Sequence, residues 1–484
     1  MYPQVQDYSQ EAAYFGQGSG EQMEQLQKAL STGTAGAPAA VPGSVDTPAG
    51  ALRVESLEST LKTTTFRMEH IKFWRAISKK RAFSTVEEYN VLSNYGSDAS
   101  AFFDEGGLPR EEDATYERKF QVVKFLGVTK VVTQPMLLVR AAHGDVLARE
   151  TINGTMWILE RLERSLFFGN ALINNLQFNG IAAQVIPQSN FDVVRNPAAT
   201  ATTNLFGGGG TDQNIIDLRG GPLTEETLEE SSQRIADFYG RMQALFLGTR
   251  ALSDLAKTFF PKERIHLPAP TDGVVGTPLT HFASQNGYIR LEPDVFIRPG
   301  STPPANVPVG APAAPTMGLG TTPGPVAGSQ HTANTYSYQV TAVDRFGTES
   351  LPCVAAPQAV GAGGSNQVTI TRVPGVVSYK IYRAVTGSAP LFMIEVPDLG
   401  TPMGLDPTMV YDDLNRWLPG TSTAFGLYMD AEQGLAFKQL APLMKVNLAT
   451  LSAAIRFMIL LYGVPEVYAP TKQIIFKNIG RLTT

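Results

Sequence analysis

The 484-residue chain is short of charge: Asp, Glu, Lys and Arg make up 17% of it, against about 25% in ordinary soluble domains. A surface so thinly charged suits a protein that buries much of itself against neighbours. There is one cysteine, Cys353, so an intrachain disulfide and a CxxC metal site are excluded. A lone thiol fits folding in a reducing cytoplasm. No basic and then apolar leader opens the chain; MYPQVQDYSQEAAYFG is polar, which argues against a secretory signal. The longest apolar run, Phe457 to Val464, is far short of the ~20 residues a membrane helix needs, so no membrane partner is expected. The net charge is −5, and nothing in it demands a nucleic-acid partner.

Catalytic constellations are missing too. The five histidines, His70, His143, His266, His281 and His331, include no pair at metal-ligand helix spacing and none beside a Cys or Glu in a zinc pattern. GxSxG is absent, which disfavours a hydrolase elbow. Gly207 to Gly210 is a glycine run, but no GK[ST] follows it, so it reads as a loop and not a phosphate cradle. No catalytic residue, cofactor site or metal site is assigned.

What is present is apolar material, 43% of the chain, enough for a large core. The length gives about three domains as a soft prior. Residues 1–50 are polar and then rich in Ala, Gly, Pro, Ser and Thr, too poor in apolar residues to order alone. They read as part of an arm over 1–83. Its end, 51–83, carries Ile71, Trp74 and Ile77 at helical spacing. Arg67, Lys72, Arg75, Lys79, Lys80 and Arg81 lie beside these and suit a solvated helix face or phosphate contact.

A charged, Gly-containing stretch then leads into Phe120 to Leu138, dense in β-branched residues. This predicts a long, partly exposed hairpin over about 100–139, with Gly127 at a bulge or turn. Such edges invite pairing with other chains. The candidate intersubunit contacts are Asp104, Glu105, Arg110, Glu111, Glu112, Asp113, Arg118 and Lys119. The five acidic residues of the tip lack the ligand spacing of a calcium loop.

Residues 145–169 predict a long amphipathic helix, with Ala148, Ile152, Met156, Leu159, Leu162 and Leu166 on its apolar stripe. Gly154 lies inside it, where glycine costs about 1 kcal/mol relative to alanine. Close approach of a strand, a bend, or simple tolerance would each explain it. A second helix runs from an N-cap at Thr224 to Gly240, with Leu228, Ile235, Phe238 and Tyr239 buried. A strand over 243–247 and a helix over 249–259, stopped by Pro261, follow.

From 303 to 415 the pattern changes. Tyr336, Tyr338, Val340 and Ala342 alternate with polar residues, as do Gln367 to Val373 and Ser378 to Arg383. Period-two alternation predicts an all-β sandwich, bracketed by Gly/Pro-rich linkers at 299–328 and 397–408. Leu443 to Val446 and Ile455 to Tyr462 predict strands returning to the sheet of 243–298. The sandwich is therefore inserted in a host built from 84–302 and 416–484.

The flanks resemble tailed-bacteriophage major capsid proteins, the Hong Kong phage capsid fold. The order of elements carries the resemblance: arm, extended hairpin loop, long spine helix, peripheral-domain helix. So do IDLRGGPLTEETLEE at 216–230, QALFLGTRALSDLAK at 243–257 and LYGVPEVYAPTKQIIFKNI at 461–479. The insert resembles fibronectin type III or immunoglobulin-like sandwiches of phage surface proteins. The resemblance implies an α+β fold with peripheral and axial domains. It implies a non-enzymatic subunit of an icosahedral shell of hexamers and pentamers, assembled in the host cytoplasm around double-stranded DNA and ending in the virion. No large scaffolding domain is present at the N-terminus, so a separate scaffold protein is implied, with decoration and portal proteins as further partners. The alternatives are another virion protein or an encapsulin-like shell. A glycan-active enzyme is the remaining class, since fibronectin-like modules accompany those enzymes, but usually beside the catalytic domain and not inside it.

Overall fold

The computed structural model describes residues 64–97, 101–139, 144–187, 193–195, 202–266, 279–297, 301–385, 387–399, 407–449 and 452–482. Residues 1–63 of the expected arm lie outside the described residues. The first half of the host runs β1 (Lys79–Arg81), β2 (Val86–Asn94), β3 (Thr115–Val122), β4 (Lys124–Thr133), helix α1 (Val146–Phe168), β5 (Val193–Arg195), β6 (Thr202–Asn204) and β7 (Ile215–Asp217). Helix α2 (Glu225–Asp237), β8 (Ala244–Leu247), α3 (Thr249–His266), β9 (His281–Ser284) and β10 (Gly287–Pro293) complete it. Next come β11 (Met317–Thr322), β12 (Asn334–Asp344), β13 (Ala356–Val360), β14 (Ser365–Thr371), β15 (Val376–Val385), β16 (Leu391–Pro397) and β17 (Thr408–Asp413). The chain closes with β18 (Ser422–Leu427), β19 (Leu435–Asn447), β20 (Ala454–Val467) and β21 (Ile474–Ile479).

The strands form mixed sheets. One has the order β1-β19-β20-β4 and one the order β7-β21-β18-β8-β10-β9, while β2 and β3 form a separate ribbon. Helix α1 packs on the first of these. Asp145 caps it by accepting the Leu147 N–H at 2.9 Å. At 1.5 Å per residue it is roughly 34 Å long. Its buried positions are Gly154, Ile158, Leu159, Leu162, Glu163, Leu166 and Phe167. Ala148 and Ile152, expected on that stripe, are exposed, because the inward face of the first turn is Val146 and Leu147, which pack on the core. A Cβ on Gly154 would stand 2.7 Å from Ile459 Cδ1 and 3.4 Å from Val128 Cγ1. The glycine is where β20 and β4 approach the helix. Farther along, Phe167 contacts Phe73, Phe246 and Phe425 at centroid distances of 4.8, 5.9 and 4.9 Å. Those contacts join the N-terminal segment to the six-stranded sheet.

Several expectations are corrected. The arm does not extend to residue 83: Ile71, Phe73, Trp74, Ile77 and Ala82 are buried in the host core, and β1 pairs in parallel with β19. The hairpin is not built from 100–139. Its arms are β2 and β3, whereas β4 pairs along its whole length with β20. Local alternation reports a half-buried strand but not its partner, which here lies more than three hundred residues away. Gly127 keeps regular register opposite Leu460, and the Leu460 side chain occupies the place of its missing Cβ; there is no bulge. β19 and β20 belong to a different sheet from β8 and β10. Helix α3 continues past Pro261 to His266; a proline removes one helical hydrogen bond and strains one turn but does not outweigh the rest of the helix. Tyr239, expected in the buried stripe of α2, is 92% exposed, because it follows the last helical residue and leaves the helix face.

The region 303–415 does not close on itself. Its sheets have the orders β11-β14-β17-β5-β6 and β13-β12-β15-β16, so two host strands complete the first. β11 lies within the expected linker 299–328. Val194 and Leu205 of the host share one apolar core with Tyr338, Val340, Val368, Ile370, Tyr379, Ile381 and Tyr411. At the joint, Arg383 Nη1 meets Asp413 Oδ2 at 2.6 Å with both side chains buried. The Tyr338 hydroxyl donates to the same oxygen at 2.7 Å, and the Asn415 side chain accepts from Arg383 Nη2 at 2.7 Å. These bonds offset the desolvation of the pair.

The fit at Gly154 predicts that Gly154→Ala lowers the thermal midpoint. Overpacking costs about 1–3 kcal/mol and outweighs the ~1 kcal/mol of helix propensity gained. Adding Ile459→Val, which removes the obstructing methyl, should restore it in a thermal melt.

Candidate intersubunit surface

The ribbon of β2 and β3 is exposed on the face that carries Glu88, Asn90, Arg118 and Phe120, and its other face is partly buried at Glu87, Tyr89 and Lys119. Its antiparallel register sets Glu88 opposite Phe120 and Asn90 opposite Arg118. At about 3.3 Å per residue its longer arm spans roughly 30 Å. Tyr116 and Phe120 on the arms and Tyr95, Phe102, Phe103 and Leu108 near the tip are all exposed; Phe102 and Leu108 are 95% and 93% so. Apolar side chains gathered in this way mark an interaction surface.

Six of the sequence candidates lie together at the tip. Asp104 opens a turn closed by the Gly107 N–H at 2.9 Å, with Gly106 at φ 82°, a left-handed conformation glycine adopts without strain. Glu105 sits in that turn, and Glu111 and Asp113 are exposed on the returning side. Glu112 accepts the Ser97 N–H at 2.9 Å and the Ser97 hydroxyl at 2.8 Å, and Arg110 Nε stands 3.1 Å from it. The Ser97 bonds, and Arg110 less strongly, hold the Glu112 carboxyl below the usual range. The other two candidates lie apart, on β3. Arg118 pairs with Glu88 across the ribbon at 3.5 Å and Lys119 with Glu117 at 3.7 Å. Exposed pairs of this kind contribute little to folding, which leaves them free to act in association.

Nothing in the local order of residues shows what anchors the ribbon. Glu87, 8% exposed, receives Lys438 Nζ at 3.1 Å and the Phe83 N–H at 3.2 Å. The Tyr89 hydroxyl donates to the Val467 carbonyl at 3.3 Å, and its ring meets Tyr468 edge-on at 5.2 Å. Burial raises the carboxyl pKa of the fully buried Glu466 beside them. Two basic residues of 67–81 are held within the chain. Lys79 Nζ donates to the Trp74 carbonyl at 2.7 Å and sits over its ring at 4.4 Å, while Lys72 Nζ stands 3.8 Å from Glu292.

Glu163 of α1 is fully buried. It accepts the backbone N–H groups of Lys72, Phe73 and Trp74 at 2.8, 2.6 and 2.8 Å. It also hydrogen-bonds the carboxyl of Asp294, itself fully buried and accepting the Phe296 N–H at 2.7 Å. Burial, and then the neighbouring Asp294, push the Glu163 carboxyl up to about 8. The two carboxyls titrate as a pair and hold one proton between them near neutral pH. An apolar stripe reveals such a glutamate only as an interruption; its donors lie some ninety residues earlier.

Among the described residues no group of three or more His, Cys, Asp or Glu could hold a metal ion. No helix among them is long and apolar enough to cross a membrane.

No protein-family model matches the chain. Its similarities are to shell proteins. It is 25% identical over 455 residues to the major capsid proteins of Staphylococcus phages S25-3 and K, covering 89% of this chain and 90% of each relative. It is 22% identical over 460 residues to the putative major capsid protein of Enterococcus phage phiEF24C, covering 90% and 92%. Coverage this high exceeds what the flanks alone could supply, so the similarity reaches into 303–415. Among solved structures, the capsid of an empty GTA particle matches with a TM-score of 0.45 at 8% identity, over 90% of this chain and 99% of that one. Mycobacterium phage Adephagia matches with 0.42 at 9%, over 90% and 97%.

The carboxyl pair predicts a pH dependence. The Glu163 carboxyl is raised to about 8 from an ordinary 4.5, so its stabilisation is complete below about 4.5 and is lost as pH rises through 8. Urea midpoints from pH 5 to 9 should fall less steeply in Asp294→Asn, which takes away the second carboxyl that raises the Glu163 pKa.

Proposed function

We propose that this chain is the major capsid protein of a tailed bacteriophage, many copies of which form the shell of the virion. The observation that carries this is the near end-to-end similarity to named major capsid proteins, over 89% of this chain and 90% of the relatives. The exposed aromatic ribbon supports it, since one copy cannot cover that surface. In this reading copies gather into hexamers and pentamers of an icosahedral shell around double-stranded DNA. The ribbon lies over a neighbouring copy, with Asp104, Glu105, Arg110, Glu111, Glu112, Asp113, Arg118 and Lys119 as its charged contacts. Assembly takes place in the host cytoplasm with a separate scaffold protein, and decoration and portal proteins join the shell. The net charge of −5 suits a container that must release its DNA. Catalysis is no part of this function.

The region 303–415, with β5 and β6, is read as an immunoglobulin- or fibronectin-like sandwich. Its two sheets of five and four strands over one apolar core support this. Electron microscopy of the purified chain tests the whole reading: closed shells or capsomers are expected, and a monodisperse monomer under all conditions would overturn it. Reversing Glu111 and Asp113 to Lys, leaving the Ser97–Glu112 bonds in place, should keep the subunit soluble and cut particle yield severalfold, with a salt dependence different from that of the wild type. Unchanged yield at every salt concentration would remove the tip from the interface.

A further inference from the structure

The joint between the host and 303–415 holds a titratable group that the shell reading does not use. His331 lies just ahead of β12, with its side chain wholly buried. Its Nε2 stands 3.0 Å from the backbone carbonyl of Asp413. A carbonyl oxygen only accepts, so Nε2 carries the hydrogen and the ring is held as that neutral tautomer. Nδ1 is left as a bare acceptor, buried and with no hydrogen-bond partner among the described residues. A proton added there meets no acceptor in a site closed to water, which is costly.

The charged groups around the ring do not offset that cost. β17 offers Asp413, but its Oδ2 is taken by Arg383 Nη1 of β15 and the Tyr338 hydroxyl of β12. Its Oδ1 accepts the Asn415 N–H at 2.8 Å and stands 3.7 Å from Nε2, the nitrogen that already has its hydrogen. β12 also brings Tyr336, whose ring meets His331 edge-on at 5.1 Å and lies under the Arg383 guanidinium at 5.0 Å. β14 adds only the uncharged Asn366, which donates to the Tyr338 hydroxyl at 2.9 Å. The host adds Arg219, with Asp217 3.9 Å from it, and the segment after β17 adds Arg416, whose Nε donates to the Gly328 carbonyl at 3.2 Å. Burial lowers the His331 pKa from its ordinary value; Asp413 opposes this, and Arg383 and Arg219 add to it.

The residue before His331 ties the two parts together. The Gln330 carbonyl accepts Arg219 Nη2 of the host at 3.3 Å and Asn415 Nδ2 at 3.0 Å, and the Gln330 N–H donates to the Leu414 carbonyl at 2.9 Å. Arg219 and Asn415 are left-handed, at φ 50° and 57°, and strain of this kind persists only while its partners stay in place. We infer that His331 is an acid-sensitive latch of this joint: a proton taken up at Nδ1 expels the ring, breaks the bonds at Gln330 and loosens 303–415 from the host. An ordinary histidine titrates at 6.5 and the closed joint holds the ring lower. The closed joint is therefore at full strength above about 6.5 and weakens as the pH falls from there toward the lowered value. The sign is opposite to that of the Glu163–Asp294 pair, which weakens as the pH rises. The latch does not depend on the shell reading.

Hydrogen exchange of the full chain, followed by mass spectrometry between about pH 7.5 and 5 and corrected for the intrinsic pH dependence of exchange, reads the latch directly. Peptides covering 328–333 and 411–421 should open more readily in acid, by about tenfold for each unit by which the closed joint lowers the pKa. Peptides of β20 should change little. His331→Gln places an amide N–H where Nε2 donates but has no proton to take up, so its joint should show no rise in acid. Equal exchange at the joint in wild type and His331→Gln at every pH would overturn the latch, as would a rise spread evenly over β20 and the joint. If the variant does not fold, the wild-type ring decides by NMR titration. The histidine whose ring signal shows a cross-peak to Tyr336 should titrate below 6.5, over the range in which the joint peptides open; titration at 6.5 or above would overturn the latch.

Discussion

The packing of the host depends on one buried carboxylate. Glu163 sits on a helix face that is otherwise apolar, and its oxygens are met by three consecutive backbone N–H groups of 72–74. Those groups begin a helical turn and have no internal partners, so the glutamate satisfies them and fixes where the N-terminal segment enters the core. Phe73 and Trp74 then reach Phe167 and Phe437 at 4.8 Å each. Asp294, the second carboxyl, stands just past β10, where the chain leaves for β11. One proton and five hydrogen-bonding groups therefore tie together the N-terminal segment, α1 and the end of β10. An uncompensated charge here would be expensive, which is why the pair keeps one proton between its two carboxyls.

The rigid core and the open ribbon divide the work of the molecule. α1 is held against β4 and β20 with no space for a methyl at Gly154. The ribbon has the opposite character, with aromatic side chains in the open and a single buried base at Glu87, Tyr89 and Lys438. The low charge of the chain, 17%, belongs with this arrangement. Surfaces that meet copies of themselves need fewer solvating charges than surfaces that stay in water.

The second apolar core is joined to the first more firmly than an insertion on linkers would be. β5 and β6 extend its five-stranded sheet. Arg219, Asn415 and Asn478 all adopt left-handed conformations where the two parts meet. Arg219 Nη1 donates to the Asn415 carbonyl at 2.8 Å, and Asn478 Nδ2 donates to the Arg416 carbonyl at 2.8 Å and to Asp217 at 2.7 Å. Strained residues locked to one another in this way hold the two parts in one orientation.

The sequence by itself determined the elements that local periodicity and capping specify. α1 is within a residue of its predicted ends and α2 within three, because an apolar stripe and an N-cap at Thr224 or Asp145 need nothing distant. The alternating strands of 336–342 and 378–383 were legible for the same reason. The charged tip at 104–113 was legible as an exposed turn, because acidic residues and paired glycines have no core to enter. Only the tertiary structure decided which strands pair. β4 carries the same alternation whether its partner is β3 or β20, and the choice is made by the apolar face of α1 lying across both β4 and β20. It likewise decided that Glu163 is buried, that Pro261 does not end its helix and that Tyr239 turns outward. Each of these is settled by atoms far along the chain or by the geometry of a helix end, and neither is written in the local order of residues.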